Sequence, residues 1–164
     1  MASLAVGTPA PPIELTGVDG RKYSLKGALE HGPVIAAFFK ASCPTCQFTF
    51  PFIERLHRQF GGKGATVWGV AQDNASRGGE FAAQYGITFP ILVDEEPYST
   101  SRAYKLKFTP TLFLIRPEGE ISLLSEGFAK RDILQIQLEL ARRIDVEAAP
   151  LFRPGERIPE YKPG

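Results

Sequence analysis

Two cysteines, Cys43 and Cys46, are the only ones in the chain, and they stand three residues apart as Cys43-Pro44-Thr45-Cys46. A run of apolar residues, Val34 to Phe39, leads into them with the length and β-branched start of a buried strand. Gln47 to Phe60, which follows, has helical spacing. The thiols therefore fall where a strand hands over to a helix. The first-turn N–H groups of a helix lack intrahelical partners and carry partial positive charge. A thiolate at Cys43 is stabilised in that position. Cys46 follows by about one helical turn, close enough for a disulfide to form and reopen. A nucleophilic thiol with a resolving thiol beside it is the equipment for thiol–disulfide exchange.

Other uses of the pair fit less well. A bridge within one C-x-x-C closes almost no loop and so constrains the unfolded chain little. Zinc wants four ligands, and the chain adds only His31 and His57. His57 lies along the helix, about four turns from Cys43 at 3.6 residues per turn, too far to take part in the chemistry. No metal and no cofactor are expected. Trp68 and the phenylalanines read as core.

The elements that position the cysteines follow from pattern. Ile13–Leu15 and Lys22–Leu25 flank Gly17-Val18-Asp19-Gly20, which is turn chemistry for a small β-hairpin. Val34–Phe39 is the first central strand. The helix expected over Thr45–Gln59 carries Phe48, Phe52, Leu56 and Phe60 on one stripe, with Pro51 expected to kink it. Ala65–Ala71 is a second buried strand, Gly79–Tyr85 a short helix, and Phe89–Val93 a short strand. Pro90 points to an edge position or a strand start for the last of these. A helix is expected over Tyr98–Leu106, a hairpin over Thr111–Ser125, and a closing helix over Asp132–Ile144. Strands that alternate with helices imply a parallel core, and the late β-turn-β adds an antiparallel edge. The segment 148–164 carries four prolines and little periodicity. It reads as a Pro-rich C-terminal tail, lying on the surface or partly disordered, after one domain at 1–147.

Composition narrows the function classes. The net charge is +1 without a basic cluster, which gives nucleic-acid binding no electrostatic support. The apolar fraction of 43% is ordinary for a globular protein, and no apolar run approaches membrane-spanning length. A chain of this size buries roughly two-thirds of its unfolded surface and needs no disulfide to fold. No signal peptide is visible between Met1 and Pro12, which favours the cytoplasm, or the periplasm if a leader has been removed. A monomer is expected.

With Phe108-Thr109-Pro110-Thr111 opening a later strand, the C-x-x-C segment resembles the thioredoxin fold. Within that fold the chain is similar to the TlpA/redoxin (AhpC/TSA-related) branch of thiol–disulfide oxidoreductases. The matching motifs run in order from Val6-Gly7-Thr8-Pro9-Ala10-Pro11, through Phe39 to Cys46, Phe50-Pro51 and Gly69-Val70-Ala71-Gln72-Asp73, to Phe89 through Asp94. The resemblance spans about residues 6–145. It implies a three-layer α/β/α sandwich with a mixed sheet. It also implies that Pro110 is a cis-proline facing the cysteines, against the plain alternative of a trans proline at a strand start. A proline lacks an N–H, so the backbone at Thr109 is left free to pair with a substrate peptide in β fashion. Thr109 and Pro110, with Pro44 and Thr45 between the thiols, are the expected substrate-contacting residues. The expected partners are a disulfide-containing protein substrate and an external thiol reductant.

The chain departs from the family where a proton acceptor for Cys46 is expected. Ala37 stands where many thioredoxins have a buried acid, and Thr49 where some TlpA-like proteins carry one. Ser42 replaces the usual aromatic residue before the first cysteine. Water, Lys40, Asp94 and Glu95 are the candidate replacements. Lys40 is also a candidate for favouring the Cys43 thiolate, though a strand-end lysine reaching solvent is the plainer reading. Three rival functions compete with exchange chemistry. A peroxiredoxin-like peroxidase needs Thr or Ser three residues before its cysteine, where Lys40 and Cys43 stand here. A redox-sensing module would use the tail as a docking segment. A Sco-like copper chaperone lacks its later histidine.

Overall fold

The structure is a computed structural model that describes residues 4–164. It opens with the expected hairpin, β1 (Glu14–Thr16) against β2 (Lys22–Ser24). A single turn, α1 (Leu25–Leu29), follows, capped by the Ser24 hydroxyl on the Gly27 N–H. Then come β3 (Val34–Phe39), α2 (Pro44–Phe60), β4 (Thr66–Ala71), α3 (Ala75–Tyr85) and β5 (Ile91–Val93). The chain continues through α4 (Ser99–Ala103), β6 (Thr111–Ile115), β7 (Ile121–Glu126), β8 (Phe128–Ala129), α5 (Lys130–Ile144) and β9 (Tyr161–Lys162).

The main sheet has the order β5-β4-β3-β6-β7. Strands β3, β4 and β5 are parallel, while β6 and β7 form an antiparallel hairpin that docks β6 against the other side of β3. β5 is an edge strand that starts directly after Pro90, where a missing N–H is tolerated.

β3 lies in the middle of the sheet, and its side chains divide by parity. Ile35, Ala37 and Phe39 enter one core with α2, Phe81 of α3, and Ile133, Ile136 and Leu140 of α5. Val34, Ala36 and Phe38 enter the other with Ile13, Leu25, Trp68 and Tyr104. Successive strand side chains point to opposite faces, so a strand covered on both faces reads as a continuous apolar run. The result is three layers, helix on sheet on helix. Each buried aromatic here contributes roughly 1.5–3 kcal/mol of transfer free energy, which holds α2 and its N-terminus against the sheet.

Several elements differ from expectation. α2 covers 17 residues with Pro51 inside it, and α3 starts at Ala75 rather than at Gly79, with the Asn74 side chain accepting from the Arg77 N–H at its start. The helix expected over 98–106 shrinks to α4, because Tyr98 and Lys105 both take left-handed φ on either side of it. Residues 148–164 take the surface-lying alternative and are well anchored. Leu151 is buried in the main core, and Phe152 packs on Phe52 and Phe128. The Arg55 guanidinium donates to the Leu151 carbonyl at 2.9 Å and to both Glu156 carboxylate oxygens at 2.9 and 2.7 Å. β9 then pairs with β8. Among the described residues no helix is long and apolar enough to cross a membrane.

Candidate active site

Cys43 is the N-cap of α2, with Pro44 in the first turn, where its fixed φ and missing N–H do no harm. The Cys46 N–H donates to Cys43 Sγ at 3.2 Å. The sulfur thus occupies the place that a Ser or Asp oxygen fills at an ordinary helix start. Cys43 is half-buried and Cys46 buried, and both are free thiols. The Cys43 thiol donates to the Thr109 carbonyl at 3.3 Å. Helix start, thiol and the segment before β6 therefore meet at one point, although Cys43 and Thr109 are 66 residues apart in the chain. Burial, and then the hydrogen bond with Cys43, push the Cys46 thiol well above its ordinary range, while the Lys40 backbone and the Thr109 side chain pull the other way. One thiol is thus open to a reaction partner and the other is held as a neutral reserve beneath it.

The Thr109–Pro110 peptide is cis. The Thr111 hydroxyl donates to the Phe108 carbonyl at 2.7 Å, and the Gly127 N–H donates to the Pro110 carbonyl at 2.8 Å, so the segment is held on both sides. Pro110 is buried, and Thr109 is half-buried facing Cys43.

Lys40 is exposed at the end of β3. Ala37 is fully buried in the sheet, opposite Leu112 and Gly69. The buried Thr49 hydroxyl donates to the Thr45 carbonyl at 2.6 Å. Asp94 is buried, but its carboxylate accepts from the Thr100 N–H and from the N–H and hydroxyl of Ser101, which fixes the start of α4. Glu95 is exposed.

Two residues that sequence reading passed over position the thiol loop. The Asp73 carboxylate accepts from the Ala41 N–H at 2.8 Å, and the Gln47 side-chain amide donates to the Ala41 carbonyl at 3.0 Å. The signal for Asp73 lay in register. Phe39 and Ala71 are partners in the parallel β3–β4 pair, so the residues two beyond each, Ala41 and Asp73, emerge side by side. The third addition is the last stretch of chain. The buried Thr45 side chain donates its hydroxyl to the Pro163 carbonyl at 2.6 Å. No local pattern in the sequence announces that contact.

A cleft of about 570 Å³ lies elsewhere, between Pro12–Ile13, α1 and the Pro117–Gly119 turn, and neither cysteine lines it. Thiol exchange needs an accessible sulfur rather than an enclosing cavity, and the half-buried Cys43 at the helix start offers one. Among the described residues no group of three or more His, Cys, Asp or Glu side chains could hold a metal ion.

Comparison with known proteins agrees with this geometry. Residues 6–123 match the AhpC/TSA family. The thiol-disulfide oxidoreductase ResA of Geobacillus thermodenitrificans is 30% identical over 135 residues, covering 81% of this chain and 76% of that protein. A crystal structure of a candidate thiol:disulfide interchange protein, DsbE, from Chlorobium tepidum is 27% identical with a TM-score of 0.76, covering 87% of this chain and 99% of that one. The peroxiredoxin Bcp of Xanthomonas campestris is more distant, 27% identical over 122 residues, covering 67% of this chain and 74% of that protein. A free C-x-x-C at a helix start, a cis-proline segment facing it and these likenesses point the same way: the chain belongs to the AhpC/TSA family, on the side of its thiol–disulfide oxidoreductases.

Proposed function

We propose that the protein reduces disulfides by exchange through Cys43 and Cys46. The observation that carries this reading is the pairing of an accessible Cys43, set at a helix N-cap, with a buried Cys46 one turn on. Cys43 Sγ, as thiolate, attacks one sulfur of the substrate disulfide. A Cys43–substrate bond forms, and the substrate's other sulfur leaves as a thiol. Cys46 then loses its proton and attacks Cys43, which frees the second substrate thiol and leaves a Cys43–Cys46 disulfide. Two electrons and two protons have passed to the substrate, and an external dithiol returns them. Of the candidate proton acceptors for Cys46, water suits this arrangement. Asp94 is engaged at α4, and Lys40 and Glu95 open to solvent. Of the four expected contact residues, Thr109 and Pro44 present the surface that receives the substrate, with the Thr109 backbone as its pairing edge, and the buried Pro110 and Thr45 support it from beneath. Lys40, exposed at the end of β3, fits the plainer reading of a lysine reaching solvent.

The expected substrate is a protein disulfide, the expected direction reduction and the working form a monomer. Equilibration with glutathione tests the direction. A potential near the ~−270 mV of thioredoxin supports a reductase, and one near the ~−120 mV of DsbA overturns it in favour of an oxidase. Peroxide consumption with a thiol reductant tests the rival chemistry. Turnover of peroxide faster than of a disulfide would assign the chain to the peroxidases instead.

A further inference from the structure

Residues 160–164 return to the cysteines along the flank of α2. The Lys130 N–H donates to the Glu160 carbonyl at 3.0 Å, and Tyr161–Lys162 pair antiparallel with Phe128–Ala129. The Lys162 ammonium lies over the Phe48 ring, 4.6 Å from its centre. The Pro163 carbonyl takes the Thr45 hydroxyl at 2.6 Å. Gly164 then rests on the Thr109 backbone, so closely that a Cβ there would stand 2.4 Å from the Thr109 carbonyl oxygen and 3.3 Å from Phe108 Cβ. That same oxygen accepts the Cys43 thiol. Gly127 serves the crossing from below. Its φ is +72°, and a Cβ there would stand 2.5 Å from the Lys162 carbonyl oxygen. One carbonyl thus touches both the nucleophile and the end of this segment.

We propose that residues 160–164 are a displaceable strap lying on the Thr109 ledge, which sets the size of disulfide the site accepts. The inference rests on the exchange reading above. A small disulfide reaches the half-buried Cys43 past the strap. A peptide that must lie along Thr109 competes with Gly164 and Pro163 for the same backbone. The attachments suit release. They include one backbone bond from Lys130 to Glu160, two ladder pairs, one hydroxyl bond and one cation–π contact near the surface, the kind of segment that opens locally without global unfolding. Upstream, buried Leu151 and the Arg55–Glu156 pair hold the rest of the segment, so the opening is confined to its end.

The test compares the full chain, a K162E/G164L variant and a chain lacking residues 160–164. Dithiothreitol is the reductant, and insulin and oxidised glutathione are the two disulfides. Amide exchange at Lys130, whose N–H donates to the Glu160 carbonyl, reports release of the strap. The expected result is faster amide exchange in both variants, a rise of threefold or more in the insulin rate, and a glutathione-disulfide rate within twofold of the full chain. Faster amide exchange with an unchanged or slower insulin rate overturns the strap. So does a shortened chain that no longer folds, which would make the segment a structural staple. A full chain that reduces neither disulfide would refute the exchange reading itself, and is distinguished from failure of the strap by the glutathione-disulfide arm.

Discussion

The two halves of α2 carry different kinds of side chain to different ends. The second half holds all of the charge. The Glu54 carboxylate accepts from the Thr88 N–H at 2.8 Å, the Thr88 hydroxyl at 2.6 Å and the Arg58 guanidinium at 3.1 Å. Arg55 is engaged by Leu151 and Glu156, and Gln59 by Ala149 and Gln137. Glu54, Arg55 and Gln59 tie the helix to the segments beside it, and Arg58 braces Glu54 from within the helix. The first half, counted with its N-cap Cys43, holds no charged residue, only two thiols, two hydroxyls and the Gln47 amide. Yet its Cys43 is the group with a reactive atom left open to a partner. A search for chemistry by density of titratable groups would choose the opposite end of this helix from the proposed site. What marks the site is an atom whose valence the fold leaves available, at a point where backbone N–H groups converge.

The largest effect that sharpens this contrast is at the first half. Cys43→Ser is expected to abolish disulfide turnover, since the hydroxyl is not a competent nucleophile in exchange. Cys46→Ser is expected to stop turnover one step later and accumulate a mixed disulfide, seen as a substrate-sized mass increase on the intact protein. Retained turnover in Cys43→Ser would break the comparison outright.

The second half should answer in stability instead. Glu54→Ala removes a buried carboxylate with three partners, and a loss of about 1–3 kcal/mol in urea unfolding is expected, with the glutathione-disulfide rate little changed. The carboxylate also makes the helix acid-sensitive. Burial would raise its pKa, but the Thr88 hydroxyl and N–H and the Arg58 guanidinium outweigh it, so the folded value falls below the ordinary 4.5. A depressed folded pKa means stability that is present above 4.5 and lost as pH falls below it. That slope should vanish in Glu54→Ala.

How much of this could be read in advance depended on the range of the interaction. The apolar run at Val34–Phe39 and the C-x-x-C after it are local, and they fixed the central strand, the helix start and the thiol pair. Pro90 marked an edge strand because a missing N–H is a local fact. Helix ends near residue 98 were not legible. Asp94 caps α4 through its side chain, and Tyr98 adopts a left-handed φ that its residue type does not advertise. The route of residues 148–164 was least legible. Its determinants are single contacts across about a hundred residues, such as Arg55–Glu156 and Thr45–Pro163, and no periodicity encodes them.

A smaller effect tests the support of the thiol loop. Asp73→Ala removes the acceptor for the Ala41 N–H. The loop that leads into Cys43 loses one of its ties, so the rate toward disulfides should fall severalfold, beyond the loss of about 1 kcal/mol in stability that one hydrogen bond accounts for. Asp73→Asn, which keeps an acceptor oxygen, should recover most of it. If instead both variants lower stability and leave the rate intact, Asp73 belongs with the structural half of the comparison.

The smallest effect is at His57, the one titratable group in the second half whose ring nitrogen Nδ1 has no hydrogen-bond partner among the described residues. Burial lowers its pKa below the ordinary 6.5, the nearby Glu54 carboxylate opposes that shift, and Arg58 adds to it. The ring stands edge-on to Phe89 at 5.8 Å, so the fold prefers the neutral form. The folded state then binds its proton later than the unfolded chain does on acidification. Stability from this group is whole above pH 6.5 and drains as pH falls through the folded pKa. His57→Phe keeps the aromatic contact and removes the proton, so it should flatten the stability profile just below 6.5 and leave the steeper Glu54-dependent loss at lower pH untouched. Because the ring lies about four turns from Cys43 by helical geometry, the pH dependence of disulfide reduction should not change. A shift in that rate profile would mean that the two halves of the helix are coupled, and the division of labour argued here would fail.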